Sequence, residues 1–176
     1  GGHNREMEPE YKKYDHSSRA LIRAHHKPGN DFEGIDCNHY EDYYSSKSIM
    51  DKGNNIYMPT EFNHCQDDGG GAAGLSDFWE QMWAHPLSGG GFLWALFDEA
   101  IMRTDIHNVL DANRVNANDG VLGPHREKEG SYYAIRDIFT PVKIEMKKLP
   151  ANFDGNTTVE NRYHFTNTDA CKFTWR

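Results

Sequence analysis

Short apolar runs that end in polar side chains alternate with helix-forming segments through the first hundred residues of this chain. The runs are Ala20–Ala24, Gly34–Tyr40, Asn55–Phe62 and Phe92–Phe97. Near-continuous apolar strands are typical of a parallel sheet that helices cover on both faces. The carboxyl ends of such strands carry the chemistry of α/β enzymes, above all in barrels. The pattern therefore predicts an α/β fold whose functional residues lie at the strand ends.

The segments between the strands predict three helices. A polar helix begins at residue 5 and ends near Asp15, and a second one covers residues 42–51 with Gly53 at its C-terminal cap. The third covers residues 75–83, where apolar side chains recur at helical spacing. A complete (β/α)8 TIM barrel needs about 250 residues. Four strands with their helices therefore predict the C-terminal half of such a barrel, over residues 1–139.

The pattern changes near residue 140, where apolar and polar residues begin to alternate with period two. The alternating segments are residues 142–146, 158–165 and 171–175. They predict the first strands of an antiparallel β-sandwich over residues 140–176. The preceding region, 103–131, is rich in Asn, Asp and Gly without periodicity, which predicts a long functional or disordered loop. Since half a barrel and a few sandwich strands are both incomplete, we expect a fragment of a larger protein.

Charge and hydropathy argue against two classes of partner. The 19 Lys and Arg residues against 27 Asp and Glu give a net charge of -8, which disfavours a nucleic-acid binder. No stretch approaches the roughly 18 apolar residues that a membrane span requires. The cysteines Cys37, Cys65 and Cys171 form neither a disulfide framework nor a CxxC metal site. The compartment stays open between the bacterial periplasm and the cytoplasm.

Neither a metal site nor a phosphate site is predicted from the motifs. The ten histidines include neither an HExxH nor an HxH arrangement, and their spacing is irregular. The glycine runs at 69–71 and 89–91 are not GxGxxG motifs, and no P-loop residues follow them. The histidines are therefore expected to have structural or polar roles.

Aromatic residues interleaved with carboxylates and amides suit the weakly apolar faces of sugars, although Trp and Tyr also fill ordinary cores. Glu61, at a predicted strand end, can serve as a nucleophile or general base, or can cap a helix or pair with an arginine. Tyr40, beside His39 at the preceding strand end, can hydrogen-bond a carboxylate or lie at a rim. Trp94 fits either a sugar platform or a core position.

Five segments, in one order, carry a resemblance to a known family. They are Met58–His64, Gly74–Trp79, Gly90–Glu99, Asp119–Arg126 and Asn161–Asn167. Each is weak alone, and together they extend from residue 58 to residue 167. In this order they resemble glycoside hydrolase family 2, the β-galactosidase family.

The resemblance implies a retaining exo-β-glycosidase built on a (β/α)8 barrel, with two catalytic carboxylates about 5–5.5 Å apart. Glu61 matches the family nucleophile at the end of the seventh strand. The acid/base glutamate would fall just before Gly1, so we expect this chain alone to be inactive. Tyr40 matches the tyrosine that hydrogen-bonds the nucleophile and stabilises its ionised form. The substrate-binding residues that we expect are Tyr40, His39, His64 and Trp94.

Two departures from the family pattern bear on substrate and cofactor. The strand at Trp94 is more apolar than the family's. Asp119 occupies the position of a family asparagine, so the binding of an alkali or divalent metal ion stays an open question. No cofactor is predicted. We expect a carbohydrate substrate with a terminal β-linked sugar, first of all a galactoside. The alternatives are a β-glucuronidase or other family 2 exo-glycosidase, and a non-catalytic carbohydrate-binding module. A homo-oligomer of the complete enzyme also stays open.

Overall fold

The computed structural model describes residues 4–65, 73–112 and 118–174. The chain divides into two compact units, Gly1–Ile135 and Arg136–Arg176. The expected boundary between barrel and sandwich, at residues 139 and 140, stays a prediction. Within the described part of the chain, no helix combines the length and apolar character that crossing a membrane requires.

The first unit contains short strands and three helices, and a fourth helix extends across the boundary to the second unit. In chain order the elements are α1 (Asn4–Tyr14), β1 (Asp31–Phe32), β2 (Ile35–Asp36), α2 (Tyr43–Asp51), β3 (Ile56–Tyr57), β4 (Phe62–His64), α3 (Leu75–Ala84), β5 (Leu93–Trp94), β6 (Ala100–Arg103), β7 (Val109–Ala112) and α4 (Gly130–Ile138). A single 3-10 turn, Thr104–Ile106, lies between β6 and β7. The strands are shorter than the apolar runs that predicted them.

Parallel pairing dominates the part of the first unit that holds the candidate site. β2 pairs with β3 in parallel, and β4 pairs with β5 in parallel. Further backbone hydrogen bonds extend this pairing, with Tyr57 N donating to Leu87 O and Cys65 N donating to Trp94 O. Helices α2 and α3 connect the paired strands, as parallel strands require. The described sheets do not close into a barrel, so the half-barrel stays a prediction.

Helices α2 and α3 confirm two of the predicted helices. The sequence around α2 contains one residue that caps its start and another that ends it. The Asp42 carboxylate accepts hydrogen bonds from the backbone N–H groups of Tyr44 and Ser45 and so caps the first turn. At the other end, the Gly53 N–H donates to Met50 O with a φ of 71°, a left-handed conformation that glycine adopts readily. The polar helix over residues 5–19 is also observed as α1, ending at Tyr14.

Two strand predictions in this unit need correction. Ala20–Ala24 is not a strand, because the Leu21 N–H donates to the Glu33 carboxylate at 2.8 Å instead of to a neighbouring strand. The predicted strand Asn55–Phe62 is interrupted around Pro59, which has no N–H to donate, and separates into β3 and β4.

The region 103–131, predicted as a loop without periodicity, contains a strand. Arg103↔Val109 and Ala100↔Ala112 are the end pairs of the antiparallel hairpin that β6 forms with β7. Exposed and partly buried residues alternate along β7. Residues 113–117 lie outside the described part of the chain. The glycine run 69–71 also lies outside it.

The second unit contains an antiparallel strand pair, as its alternation predicts. β8 (Val142–Ile144) pairs with β9 (Val159–Asn161), with Val142 opposite Asn161. No strand forms over residues 171–174, which follow a 3-10 helix at Thr168–Ala170. Trp175 lies outside the described residues. The strand predicted there is therefore wrong over residues 171–174, and the sandwich stays a prediction.

A small buried cluster joins α2 to β3 behind the candidate site. Ile49, Met50 and Tyr57 form it, and Met50 is completely buried. We expect Met50→Ala to lower the free energy of unfolding by about 2–5 kcal/mol, because it removes buried methylene groups and leaves a cavity. Chemical denaturation of the wild-type and variant chains measures the difference, with the exposed Met7→Ala as control. A Met50→Ala chain as stable as wild type would contradict this packing.

The buried phenol of Tyr57 makes the fold sensitive to alkali. Tyr57 is 1% exposed, and burial raises its pKa well above its ordinary value of about 10. The folded state therefore holds this proton more tightly than the unfolded state does, so its contribution to stability is complete below pH 10 and is lost as pH rises. The resulting slope approaches about 1.4 kcal/mol per pH unit. Tyr57→Phe is expected to reduce that slope in denaturation curves above pH 10, whereas Tyr44→Phe, at an exposed position, should leave it unchanged.

Candidate active site around Glu61

Glu61 and Tyr40 lie together beside the two parallel strand pairs. Tyr40 follows β2, and Glu61 directly precedes β4, at the end of the segment that includes β3. The Tyr40 N–H donates to the Glu61 carbonyl at 3.1 Å, and the Tyr40 Oη donates to Glu61 Oε2 at 2.8 Å. Tyr40 has a φ of 53°, a left-handed conformation uncommon for a residue with a side chain. Backbone and phenol thus both hold residue 61.

Tyr40 remains a hydrogen-bond donor across the physiological pH range. Burial and the hydrogen bond to Glu61 raise the pKa of Tyr40 far above its ordinary value. A protonated phenol can donate to a carboxylate, which can only accept. This hydrogen bond orients Glu61, whose side chain is 25% exposed and therefore reachable by a ligand.

His39 contacts the same glutamate from the protein interior. Its ring Nε2 lies 2.7 Å from Thr60 Oγ1, and its Nδ1 lies 3.7 Å from Glu61 Oε1. Burial lowers the pKa of His39, although the negative charge of Glu61 acts in the opposite direction. The His26 ring packs edge-on against His39, with ring centroids 4.9 Å apart. His39 is therefore a neutral imidazole that bridges Thr60 and the carboxylate.

Trp94 and His64 form a second group that is organised by Asp119. The Trp94 Nε1 donates to Asp119 Oδ2 at 2.8 Å, and His64 Nε2 lies 3.8 Å from the same oxygen. The His64 ring reaches back to Tyr40, with centroids 5.7 Å apart. One continuous set of contacts therefore connects Trp94 to Glu61. The structure brings together all the site residues expected from the sequence, namely Glu61, Tyr40, His39, His64 and Trp94.

Sequence reasoning missed Asp119 as a member of this site, although it noted the residue as a departure from the family. Asp119 is 7% exposed, and its backbone carbonyl accepts from Ala95 N at 2.7 Å. The adjacent Gly120 shows how closely the chain approaches here, since a Cβ on it would lie 2.3 Å from Asp98 N. An Asp-Gly pair in an otherwise irregular segment was the available signal. Thr60 and His26 carried no signal beyond their proximity in sequence to predicted residues.

A cavity of about 570 Å³ is lined by Phe97, Asp98, Glu99, Ala100, Ile101, Asp111 and Arg126, and none of the five expected site residues lines it. Within the described ranges, no three His, Cys, Asp or Glu side chains are grouped as metal ligands would be. The chemistry that the described site offers is that of an oriented, accessible carboxylate beside aromatic and imidazole groups.

The comparisons with known proteins give one informative result. The chain is 23% identical over 159 residues to a β-galactosidase from Actinobacillus pleuropneumoniae. The chain is similar to a β-galactosidase. The alignment covers 84% of this chain, and the chain spans only 15% of the length of that relative. No family model matches the chain. This distant likeness supports a glycosidase-like function and leaves the mechanism and the nucleophile to be argued from the site.

Proposed function

We propose that this chain is the nucleophile-bearing part of a retaining exo-β-glycosidase of glycoside hydrolase family 2, with Glu61 as the nucleophile. The observation that carries the proposal is the 2.8 Å hydrogen bond from Tyr40 Oη to Glu61 Oε2 at adjoining strand ends. Such a bond fixes the orientation of the side chain that attacks the sugar. The similarity to a β-galactosidase over most of the chain supports the same reaction class.

The proposed reaction has two steps at one anomeric carbon. Glu61 attacks that carbon, the bond to the leaving oxygen breaks, and an acid donates a proton to the departing group. Water then attacks the glycosyl-enzyme, giving up a proton to the same residue acting as base, and Glu61 is released. In this proposal the acid/base glutamate belongs to a part of the protein outside these residues. The Asp119 carboxylate is engaged by the Trp94 indole and is assigned no proton transfer.

A terminal β-linked sugar, with galactose as the first candidate, is proposed to bind against Trp94, His64 and Tyr40. Trp94 offers an indole face for the C–H face of the ring, and His64 and Tyr40 offer polar groups for hydroxyls. His39 completes the wall behind Glu61. The parallel segments that include β2, β3 with β4, and β5 are proposed as consecutive strands of a (β/α)8 barrel. This arrangement would place Glu61 at the end of the seventh strand, where barrel enzymes keep their chemistry.

A mechanism-based label tests the assignment directly. The complete protein is incubated with an activated 2-deoxy-2-fluoro-β-galactoside, which forms a long-lived glycosyl-enzyme in retaining enzymes, and the digested protein is examined by mass spectrometry. The expected result is one added fluorosugar on Glu61, together with loss of activity. A label on another carboxylate would contradict the assignment. Sugar binding without any hydrolysis or labelling would instead favour a carbohydrate-binding module.

A further inference from the structure

The two ring nitrogens of His39 have different neighbours, and this asymmetry carries an inference that rests on the proposed function of Glu61. We propose that the Thr60 hydroxyl holds the neutral His39 ring in the tautomer whose Nδ1–H faces Glu61. In this arrangement His39 and Thr60 position the nucleophile, and His39 acts through Glu61 without contacting the sugar. Thr60 precedes Glu61 in the chain, so one short segment supplies both the nucleophile and the group that orients its neighbour.

The donor and acceptor properties of the neighbours determine the tautomer. A carboxylate oxygen is only an acceptor, so the His39 Nδ1 that lies 3.7 Å from Glu61 Oε1 is favourable there only if it carries a proton. A neutral imidazole has a single N–H, which leaves Nε2 as an acceptor. The Thr60 hydroxyl, 2.7 Å from Nε2, can donate to it. The hydroxyl then donates to the ring, and the ring Nδ1–H points toward the carboxylate, which can only accept.

The charge state of His39 follows from its surroundings. His39 is 9% exposed, and burial lowers its pKa, as do the neighbouring His25 and His26, whereas Glu61 raises it. Burial is the largest of these effects, so the ring is neutral at neutral pH. If both ring nitrogens carried protons, Nε2 would be a donor, and the Thr60 oxygen could only accept from it. The neutral ring is the state in which the hydroxyl determines the tautomer.

The consequence for Glu61 is control of the orientation of its carboxylate plane. Tyr40 Oη holds Oε2 at 2.8 Å, and the His39 Nδ1–H faces Oε1 from the other side. Hydrogen bonds of catalytic groups are commonly long before substrate binds and shorten in the reacting complex. The Tyr40 hydrogen bond on one oxygen, with the His39 N–H facing the other, restricts rotation about the last side-chain bond. Small errors in the orientation of a reacting group are costly.

Paired variants in the complete protein test this inference. Thr60→Val removes the hydroxyl at nearly constant volume, and Thr60→Ser retains it. We expect Thr60→Val to lower kcat and the rate of fluorosugar labelling by about tenfold or more with KM nearly unchanged. Thr60→Ser should stay close to wild type, and thermal unfolding of both variants controls for stability. Equal kcat in Thr60→Val and wild type would overturn the inference.

A second pair of variants decides the matter if Thr60→Val does not fold. The Asn side chain can place an N–H near the position of Nδ1, whereas Gln reaches the position of Nε2. His39→Asn is therefore expected to retain more activity than His39→Gln. The reverse order of activities would overturn the inference. So would a raised KM with unchanged kcat, because that pattern indicates a contact with the sugar.

These measurements separate the inference from the function on which it rests. Fluorosugar labelling of Glu61 in the wild-type protein tests the nucleophile alone, and its absence removes the basis of both proposals. Labelling of Glu61 together with insensitivity to Thr60→Val retains the proposed function and rejects only the positioning role of His39.

Discussion

Glu61→Gln in the complete protein is expected to lower the turnover of an aryl β-galactoside by several orders of magnitude. The amide cannot form the glycosyl-enzyme, because its oxygen is a poor nucleophile and carries no charge to stabilise the developing positive sugar. The substitution preserves the size of the side chain, so the fold should persist. Steady-state kinetics with a sensitive aryl glycoside, after removal of any contaminating wild-type enzyme, measures the loss.

Glu33→Gln is the matched control for this prediction. Glu33 is a partly buried carboxylate that accepts from the Leu21 N–H and contacts Lys12 Nζ at 2.6 Å. Neither of these partners belongs to the candidate site. Its loss should affect the link to helix α1 and leave the turnover number close to wild type. Near-normal turnover in Glu61→Gln would refute the nucleophile assignment, whatever the control shows.

Tyr40→Phe is expected to lower kcat by about 10- to 100-fold, the effect of losing a hydrogen bond of about 1.5–3 kcal/mol to a charged group. The Tyr40 phenol is the donor closest to the reacting carboxylate, and its raised pKa keeps it protonated throughout the working range. KM should change less than kcat, because the interaction is with the nucleophile. Tyr44→Phe, at a position that is 80% exposed, is the control.

The Tyr40→Phe result has a clear contrary outcome. An unchanged kcat would show that the hydrogen bond to Glu61 does not contribute to the reaction. A large rise in KM with unchanged kcat would assign Tyr40 to sugar binding alone. Circular dichroism and thermal unfolding establish that the variant is folded, since Tyr40 also contacts the His64 ring.

Local sequence signals predicted the helices better than they predicted the strands. Helix α2 has a capping aspartate at Asp42 and a terminating glycine at Gly53, and both act over a few residues. A strand depends on hydrogen bonds to partners that are distant in sequence. An apolar run indicates that a segment is buried, but it does not indicate which segment it pairs with. The segment Ala20–Ala24 is apolar, yet the Leu21 N–H donates to a side chain, so no strand forms there.

The candidate site was predictable to the extent that its residues lie at the ends of successive apolar runs. The family resemblance predicted a hydrogen bond between Tyr40 and Glu61, and the structure contains it at 2.8 Å. Asp119 was not predicted as a partner of Trp94, since 25 residues separate them and an irregular segment has no periodicity to indicate where it packs. The burial of Asp119 follows only from tertiary structure.

Trp94 and Glu61 take their hydrogen bonds from different partners. Residue 61 is held by Tyr40 and does not depend on the indole for its own hydrogen bonds, whereas the indole is held by a carboxylate from a different stretch of chain. Under the proposed function, libraries that vary positions 94 and 119 together should change which glycosides are accepted while the hydrogen bond from Tyr40 to Glu61 is retained. Directed evolution of new specificities has its natural starting point at this pair.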